Sequence, residues 1–413
     1  MSSSSITLKN LFSGWPPDKI SLVFVNESKP DYSVCDTYWQ AAFPMRGGIL
    51  KKVSLDENIL KQKPRLSVKS FIPKNIKNYL FPLFDMLPVP SISEEFKVWL
   101  LDIYKPDIIY TWLGSLQTIE LVTQINAICN APVIPHFMDD WMTVSISPSI
   151  IRKLRTILIN RRMRKLLPLC SGGVGISPVM ANIYHNNYGL PMTHASNGLP
   201  LELLDRLLVN AGEVREASND FVFSIFGRLD YGRRKLLHNV ILACNASHVG
   251  NRVVVFRLYG AASETSDFQS TVMVKVELLP SPLDDDLLDL QKNTDCLLYL
   301  DSFDTNYCSY FKYSFSGKIP LYLGLGKPIL TIGSPDIYSV IYLKSCHVGP
   351  VARNDSIEEF ARCINEVLHL NSKALRQLGL ISSHLAIERH TSAVQKSRLW
   401  SMLFSARQRP IHS

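Results

Sequence analysis

Short apolar runs of strand length alternate with longer stretches in which apolar residues return every three or four positions, and the alternation continues along most of the chain. That rhythm predicts an α/β architecture, with parallel strands in a sheet and helices on its faces. In the first half the strand-like runs are 20–25, 106–111, 132–136 and 173–177, with a helix over 116–129. Ser177 stands before Pro178-Val179-Met180, a serine N-cap followed by proline in the first helical turn. Residues 193–218 mix turn formers with a short helical patch and read as an interdomain linker. Beyond them the rhythm restarts, with strands at 221–226, 252–258, 274–278, 296–300 and 328–332. Helices are expected at 234–244, from about Gly317, at 356–368 and over 372–404. Residues 66–89, crowded with aromatics, prolines and leucines, resist assignment and read as a lid, an acceptor loop or a membrane-facing flap.

The chain has 413 residues, more than one hydrophobic core organises, so two domains are expected. They fall at 1–200 and 219–390, with a helix at 391–413 that crosses back to the first lobe. Hydrophobic residues make up 46% and charged residues 19%, a composition too apolar for disorder. No apolar run reaches the ~18 residues of a membrane span, and residues 1–5 carry no basic-then-apolar signal segment. The eight cysteines are scattered, without a CxxC pair or a histidine cluster nearby. That favours free thiols in a reducing cytoplasm over zinc or disulfides.

A net charge of +8 suits nucleic acid, an anionic membrane or anionic small substrates. Its distribution narrows the choice. Arg152, Lys153, Arg155, Arg161, Arg162, Arg164 and Lys165 crowd one segment, in which Ile150, Ile151, Leu154, Ile157, Leu158 and Leu166 recur near helical spacing. The helix 150–166 reads either as a basic amphipathic element for a membrane surface or as a helix that packs its apolar stripe inward under a solvated basic face. Aromatics interleaved with the basic residues, as in a single-strand groove, are missing, so nucleic acid is not expected as a partner.

Ligands of open α/β sheets bind beyond the carboxyl ends of the strands. After the strand 221–226 comes Gly227-Arg228-Leu229-Asp230-Tyr231-Gly232-Arg233, two glycines and two arginines suited to a diphosphate. Farther on, Ser316-Gly317-Lys318 opens a helix whose free N–H groups form an anion site. Each charge-assisted bond contributes roughly 1.5–3 kcal/mol. Basic turns are more often merely solvated, and it is the pairing of two in one domain that favours a site. In the first lobe, His136 is followed by Asp139 and Asp140, which suits hydroxyl substrates or orientation of an imidazole. A satisfied structural histidine and a helix-capping aspartate are the alternatives.

Gly227-Arg228-Leu229 with a further arginine at 233, Ser302-Phe303-Asp304, and the run from Ser316 and Lys318 through Tyr322 to Gly326-Lys327-Pro328-Ile329-Leu330 resemble the C-terminal lobe of the GT-B glycosyltransferases. The likeness is to the group 1, family-four-like retaining enzymes. Thr7-Leu8-Lys9-Asn10-Leu11-Phe12, Gly14-Trp15-Pro16, residues 30–35 and 136–141 are similar to a bacterial surface-polysaccharide branch, of the O-antigen or capsule kind. The resemblance implies two doubly wound Rossmann-like lobes with an interdomain cleft, acceptor side first and nucleotide-sugar side second. It implies a UDP- or GDP-linked donor, a lipid-linked or polysaccharide glycan acceptor at the cytoplasmic membrane face, retention of configuration, and no metal or other cofactor. Residue by residue, Arg228 and Arg233 match the cations on the donor diphosphate. Gly227, Ser316, Gly317 and Lys318 match the donor site. His136 and Asp140 match the cleft histidine and a hydroxyl contact, and catalytic roles are expected of His136, Asp140, Arg228 and Arg233.

Two departures stand out. The family's acidic residue before the tyrosine, which serves the ribose, is Leu321 here, and Asp301 is the candidate stand-in carboxylate for donor binding. The family begins with a strand before its Gly/Ser loop, whereas Ser2 to Ser5 stand almost at the start, so that strand is expected to be missing. A catalytically degenerate scaffold homologue and a sugar-nucleotide epimerase remain as alternative readings.

Overall fold

The structure is a computed structural model that describes residues 3–25, 34–41, 50–53, 91–140, 149–216, 218–246, 252–260, 268 and 270–408. The unassigned stretch 66–89 and the motif residues 30–33 and 141 lie outside them. The chain forms two compact units, one from Met1–Ser196 with Lys396–Ser413, the other from Asn197–Gln395.

Among the described residues the first unit carries two sheets. Strands β1 (Ser21–Val25) and β2 (Thr37–Ala41) run parallel, and β3 (Leu50–Lys52) pairs antiparallel with β2. Strands β4 (Ile109–Leu113), β5 (Val133–Phe137), β6 (Gly173–Gly175) and β7 (Met192–His194) form an all-parallel sheet in that order. Every side chain of β5 is buried, as expected for a central strand covered on both faces. Ser177 caps the helix Pro178–Tyr188 by accepting from Met180 N at 3.0 Å, a bond that contributes about 1 kcal/mol. The helix Ser392–Arg407 brings Leu399, Leu403 and Ala406 into a core with Leu11, Ile134, Val174 and Ala195. Trp400 Nε1 donates to Leu11 O at 3.1 Å, and Trp15 packs on both Trp400 and Phe404.

The second unit is built on five parallel strands: β8 (Asp220–Phe226), β9 (Val253–Tyr259), β10 (Val274–Leu279), β11 (Cys296–Leu300) and β12 (Ile329–Ile332). Their spatial order is β10-β9-β8-β11-β12, so the chain winds outward one way from β8 and then back across it to β11. Sheets wound this way bind ligands beyond the carboxyl ends of the strands at the switch, here between β8 and β11. Phe221, Phe223 and Phe256 pack with Leu298, Leu330 and Phe360 in an apolar core of this unit. Rings 223 and 256 stack at 5.4 Å.

The short helical patch within residues 193–218 is present. The helix Leu201–Leu208 within them buries Leu203, Leu204 and Leu207 and belongs to the second unit. Spacing i, i+1, i+4 is a helical core face, which turn residues on either side obscure. Among the described residues, no helix is long and apolar enough to cross a membrane.

Candidate functional site

The turn after β8 is shaped by backbone that few residues adopt. Gly227, Tyr231 and Gly232 have φ of 81°, 61° and 83°, and the non-glycine value is uncommon enough to mark a held conformation. Gly227 N donates to Tyr259 O at 2.8 Å, which ties the turn to the end of β9. A Cβ on Gly227 would stand 2.8 Å from Lys318 Cε and 2.9 Å from its Nζ, so the missing side chain is what lets the lysine lie across the turn.

Arg233, the first residue of the helix Arg233–Ala246, reaches across to the residue that follows β11. Its guanidinium donates to Asp301 Oδ1 at 2.9 Å, with 15% and 4% of the two side chains exposed. Asp301 follows β11 directly. Ser302 N donates to the same oxygen, and the Tyr299 hydroxyl donates to Oδ2, each at 2.9 Å. Burial pulls on the arginine proton, but the adjacent Asp301 carboxylate more than offsets it, so the guanidinium stays charged. The Tyr231 and Phe311 rings flank it, with centroids 5.8 and 5.5 Å from Cζ. These two aromatic contacts escaped sequence reasoning. The available signal was the run of aromatics at 307, 310, 311 and 313, close in sequence after Asp304.

Lys318 is half-buried against Gly227. Burial and the neighbouring Arg233 bring its amine down from the usual lysine range to about 7. Arg228 is different: its side chain is 72% exposed, with Asp230 Oδ2 3.5 Å from Nε. The structure therefore brings Gly227, Arg233, Asp301 and Lys318 together, with Arg228 at the rim and coupled to Lys318 by charge.

The helix expected from Gly317 begins later and is short, Ile319–Gly324, with Lys318 at its N-cap and Pro320 in its first turn. The amides before it are largely used: Ser316 N donates to Ser339 Oγ at 2.9 Å and Ile319 N to Ser316 O at 3.1 Å. Six residues sum few peptide dipoles, so positive charge here comes from side chains rather than from a helix end. The Gly317 carbonyl accepts from Asn197 Nδ2 at 3.1 Å. Leu321 is half-buried, while Tyr322 ties the helix to the sheet, accepting from Phe226 N and donating to Leu298 O, both at 3.1 Å. Asp301, the expected stand-in for the ribose carboxylate, has both oxygens engaged by protein donors.

In the first unit, His136 sits within β5 and has no exposed surface. Its Nε2 meets the Ala195 carbonyl at 3.0 Å, so Nε2 carries the proton and the Tyr110 hydroxyl donates to Nδ1 at 2.5 Å. Burial takes the ring down to about 3, and it is neutral at ordinary pH. As placed, this imidazole offers no open nitrogen to a substrate and braces β4, β5 and the segment after β7. Asp140 is also buried and accepts from the Tyr184 hydroxyl at 2.8 Å.

No family model and no curated protein matches the sequence. Solved structures do match in shape. HepE from Anabaena, in a complex with UDP and glucose, superposes with a TM-score of 0.58 at 11% identity, over 98% of this chain and 96% of that one. A UDP-forming α,α-trehalose-phosphate synthase from Burkholderia vietnamiensis gives 0.55 at 8% identity, over 93% and 94%. A sucrose-phosphate synthase from Thermosynechococcus elongatus gives 0.53 at 14% identity, over 83% and 82%. With its parallel sheets and the β10-β9-β8-β11-β12 winding, the chain has the GT-B glycosyltransferase fold, built from two Rossmann-like lobes.

Proposed function

We propose that the chain is a glycosyltransferase that draws a sugar from a UDP- or GDP-linked donor held in the second lobe. The observation that carries this reading is the grouping of Arg233 on Asp301 and of Lys318 against Gly227, with exposed Arg228 coupled to Lys318 by charge, after the carboxyl ends of β8 and β11. A diphosphate leaving group develops negative charge that positive side chains there can meet, and groups aimed at developing charge are the largest single contribution to many enzymic rates. Support comes from the named neighbours, which include a UDP complex and a UDP-forming synthase. Asp301 acts as a positioning residue that fixes Arg233, and Arg228 at the rim closes on the phosphates when the donor arrives. The reaction we infer is retaining, with the leaving phosphate kept beside the attacking hydroxyl.

The acceptor we propose is a lipid-linked glycan at the cytoplasmic face of a membrane, met through the helix Ser149–Leu166. Ile159, Met163 and Leu166 of that helix are buried, whereas Ile150, Leu154 and Ile157 are 81%, 50% and 63% exposed. Those three share a face at i, i+4 and i+7, beside exposed Lys153, Arg161, Arg164 and Lys165. An exposed aliphatic row with basic neighbours suits an anionic lipid surface, where each cation contributes about 1 kcal/mol.

The test is a screen of nucleotide sugars for release of UDP or GDP in the presence of a lipid-linked acceptor extract. Donor-dependent release with one sugar supports the assignment. Leu321 keeps one rival reading in view, a degenerate homologue that acts as a scaffold, and that rival requires the absence of saturable UDP and GDP binding.

A further inference from the structure

The charges of the donor site do not balance evenly. Each arginine has a carboxylate of its own: Asp301 at 2.9 Å from Arg233, and Asp230 at 3.5 Å from Arg228. Among the described residues, no hydrogen bond or ion pair reaches the Lys318 amine. Its Nζ lies against the Gly227 backbone, with two guanidinium groups as its nearest like charges. A third positive charge there is half-buried and repelled by both arginines, and the attraction of Asp301 and Asp230, each already engaged by an arginine, offsets that only in part.

We propose that Lys318 is a proton-linked latch for the donor: a nucleotide diphosphate that binds against Gly227 draws a proton from solvent onto Nζ. The inference rests on the donor-site reading given above and adds the proton to it. The groups that face Lys318 are Arg228, Asp230 and Arg233 from the turn after β8 and Asp301 from the end of β11. The Tyr299 and Tyr322 phenols beside Arg233 are held neutral by burial. None of these carboxylates is spare, because each is already engaged by an arginine. The anion itself must supply the counter-charge that keeps the proton on the amine.

Burial and the arginines bring the free amine to about 7. A diphosphate in contact pulls it back toward the ordinary lysine range. Between those limits, binding takes up a proton, and affinity falls about tenfold for each unit rise in pH. Below about 7 the amine is already charged and the dependence flattens.

The experiment is calorimetric titration of the full chain with UDP, and with GDP as second probe, at pH 8. There the terminal phosphate is fully ionised, its second pKa being about 6. Phosphate, HEPES and Tris buffers differ in ionisation enthalpy, so the slope of observed heat against that enthalpy counts the protons taken up. The expected slope is close to one proton, with K318M binding at least about tenfold weaker and K318R, which stays charged, binding with a slope near zero. Affinity of the unaltered chain should fall steeply from pH 8 to 9, while that of K318R stays level. Saturable binding with zero slope, or a slope that persists in K318M or K318R, overturns the latch and leaves the donor site standing. A flat pH dependence does the same even where a variant binds too weakly to titrate. No saturable binding of either nucleotide overturns the donor site and the latch together.

Discussion

Asp301 aims Arg233 across the switch point: the two groups meet at 2.9 Å although 68 residues separate them in sequence. Removing one partner of a buried pair leaves the other uncompensated, at about 3–5 kcal/mol. D301A should therefore lower both the melting temperature and donor turnover, whereas D301N, which keeps the shape, should lose turnover with a smaller loss of stability. Thermal denaturation beside a UDP-release assay separates the two effects, and an unaltered melting temperature in D301A would contradict the buried pairing.

Arg228 is the counter-case. Its exposed side chain leaves little for the fold to lose, and surface substitutions commonly change stability by no more than about 0.5 kcal/mol. R228A should melt like the parent while nucleotide release falls by about two orders of magnitude, a loss equivalent to roughly 2.7 kcal/mol of transition-state stabilisation. Unchanged turnover would remove Arg228 from the reaction.

His136 should be invisible in the pH–rate profile between 5 and 8, because its ring is neutral down to about 3. It should show instead in stability. The folded-state value lies below the unfolded value of about 6.5, so the unfolded chain binds the extra proton. The contribution is complete above pH 6.5, shrinks as the pH falls, and is gone below about 3. H136Q should flatten the loss of stability measured by denaturant melts between pH 6.5 and 4.5. An equally steep loss in that variant would assign the effect to another group.

The latch lysine carries the opposite consequence for the empty protein. Its folded-state value, about 7, lies below the unfolded value near 10.5, so stability is lost as the pH falls from 10.5 through 7. At pH 7, K318M should raise the melting temperature of ligand-free protein, by about 2–4 °C for each kcal/mol relieved, while weakening UDP binding. A lower melting temperature in K318M would mean that the amine makes favourable contacts when empty.

The aliphatic row on Ser149–Leu166 predicts co-sedimentation with vesicles containing anionic lipid, and release by salt. Glutamate at 150, 154 and 157 together should abolish it and leave UDP binding intact. Retained sedimentation in that triple variant would move any membrane contact elsewhere.

Much of the fold could be read ahead of the structure where local pattern decides it. The helix Leu116–Cys129 and the strand Cys296–Leu300 coincide with their apolar runs, and Ser177 caps where a serine before proline should. What local pattern does not carry is partnership across the sheet. Asp301 was recognisable as a carboxylate near the site, but its commitment to Arg233, Tyr299 and Ser302 is set by how β11 lies beside β8. His136 shows the same limit, since a polar residue after an apolar run looks alike whether its ring is open or enclosed. The late start of Ile319–Gly324 goes with a turn at Ser316, whose hydroxyl accepts from Lys318 N and whose carbonyl accepts from Ile319 N.

The helix Ser392–Arg407 contributes Leu399, Leu403 and Ala406 to a core whose other members lie in the first 196 residues. During synthesis the ribosome therefore delivers the whole second lobe before that first core can be sealed. The second lobe has all its strands in one stretch of chain and can mature early. The first must wait, with Leu11, Ile134 and Val174 uncovered, until Leu399, Leu403 and Ala406 emerge, and its folding inherits whatever pauses translation imposes on the second.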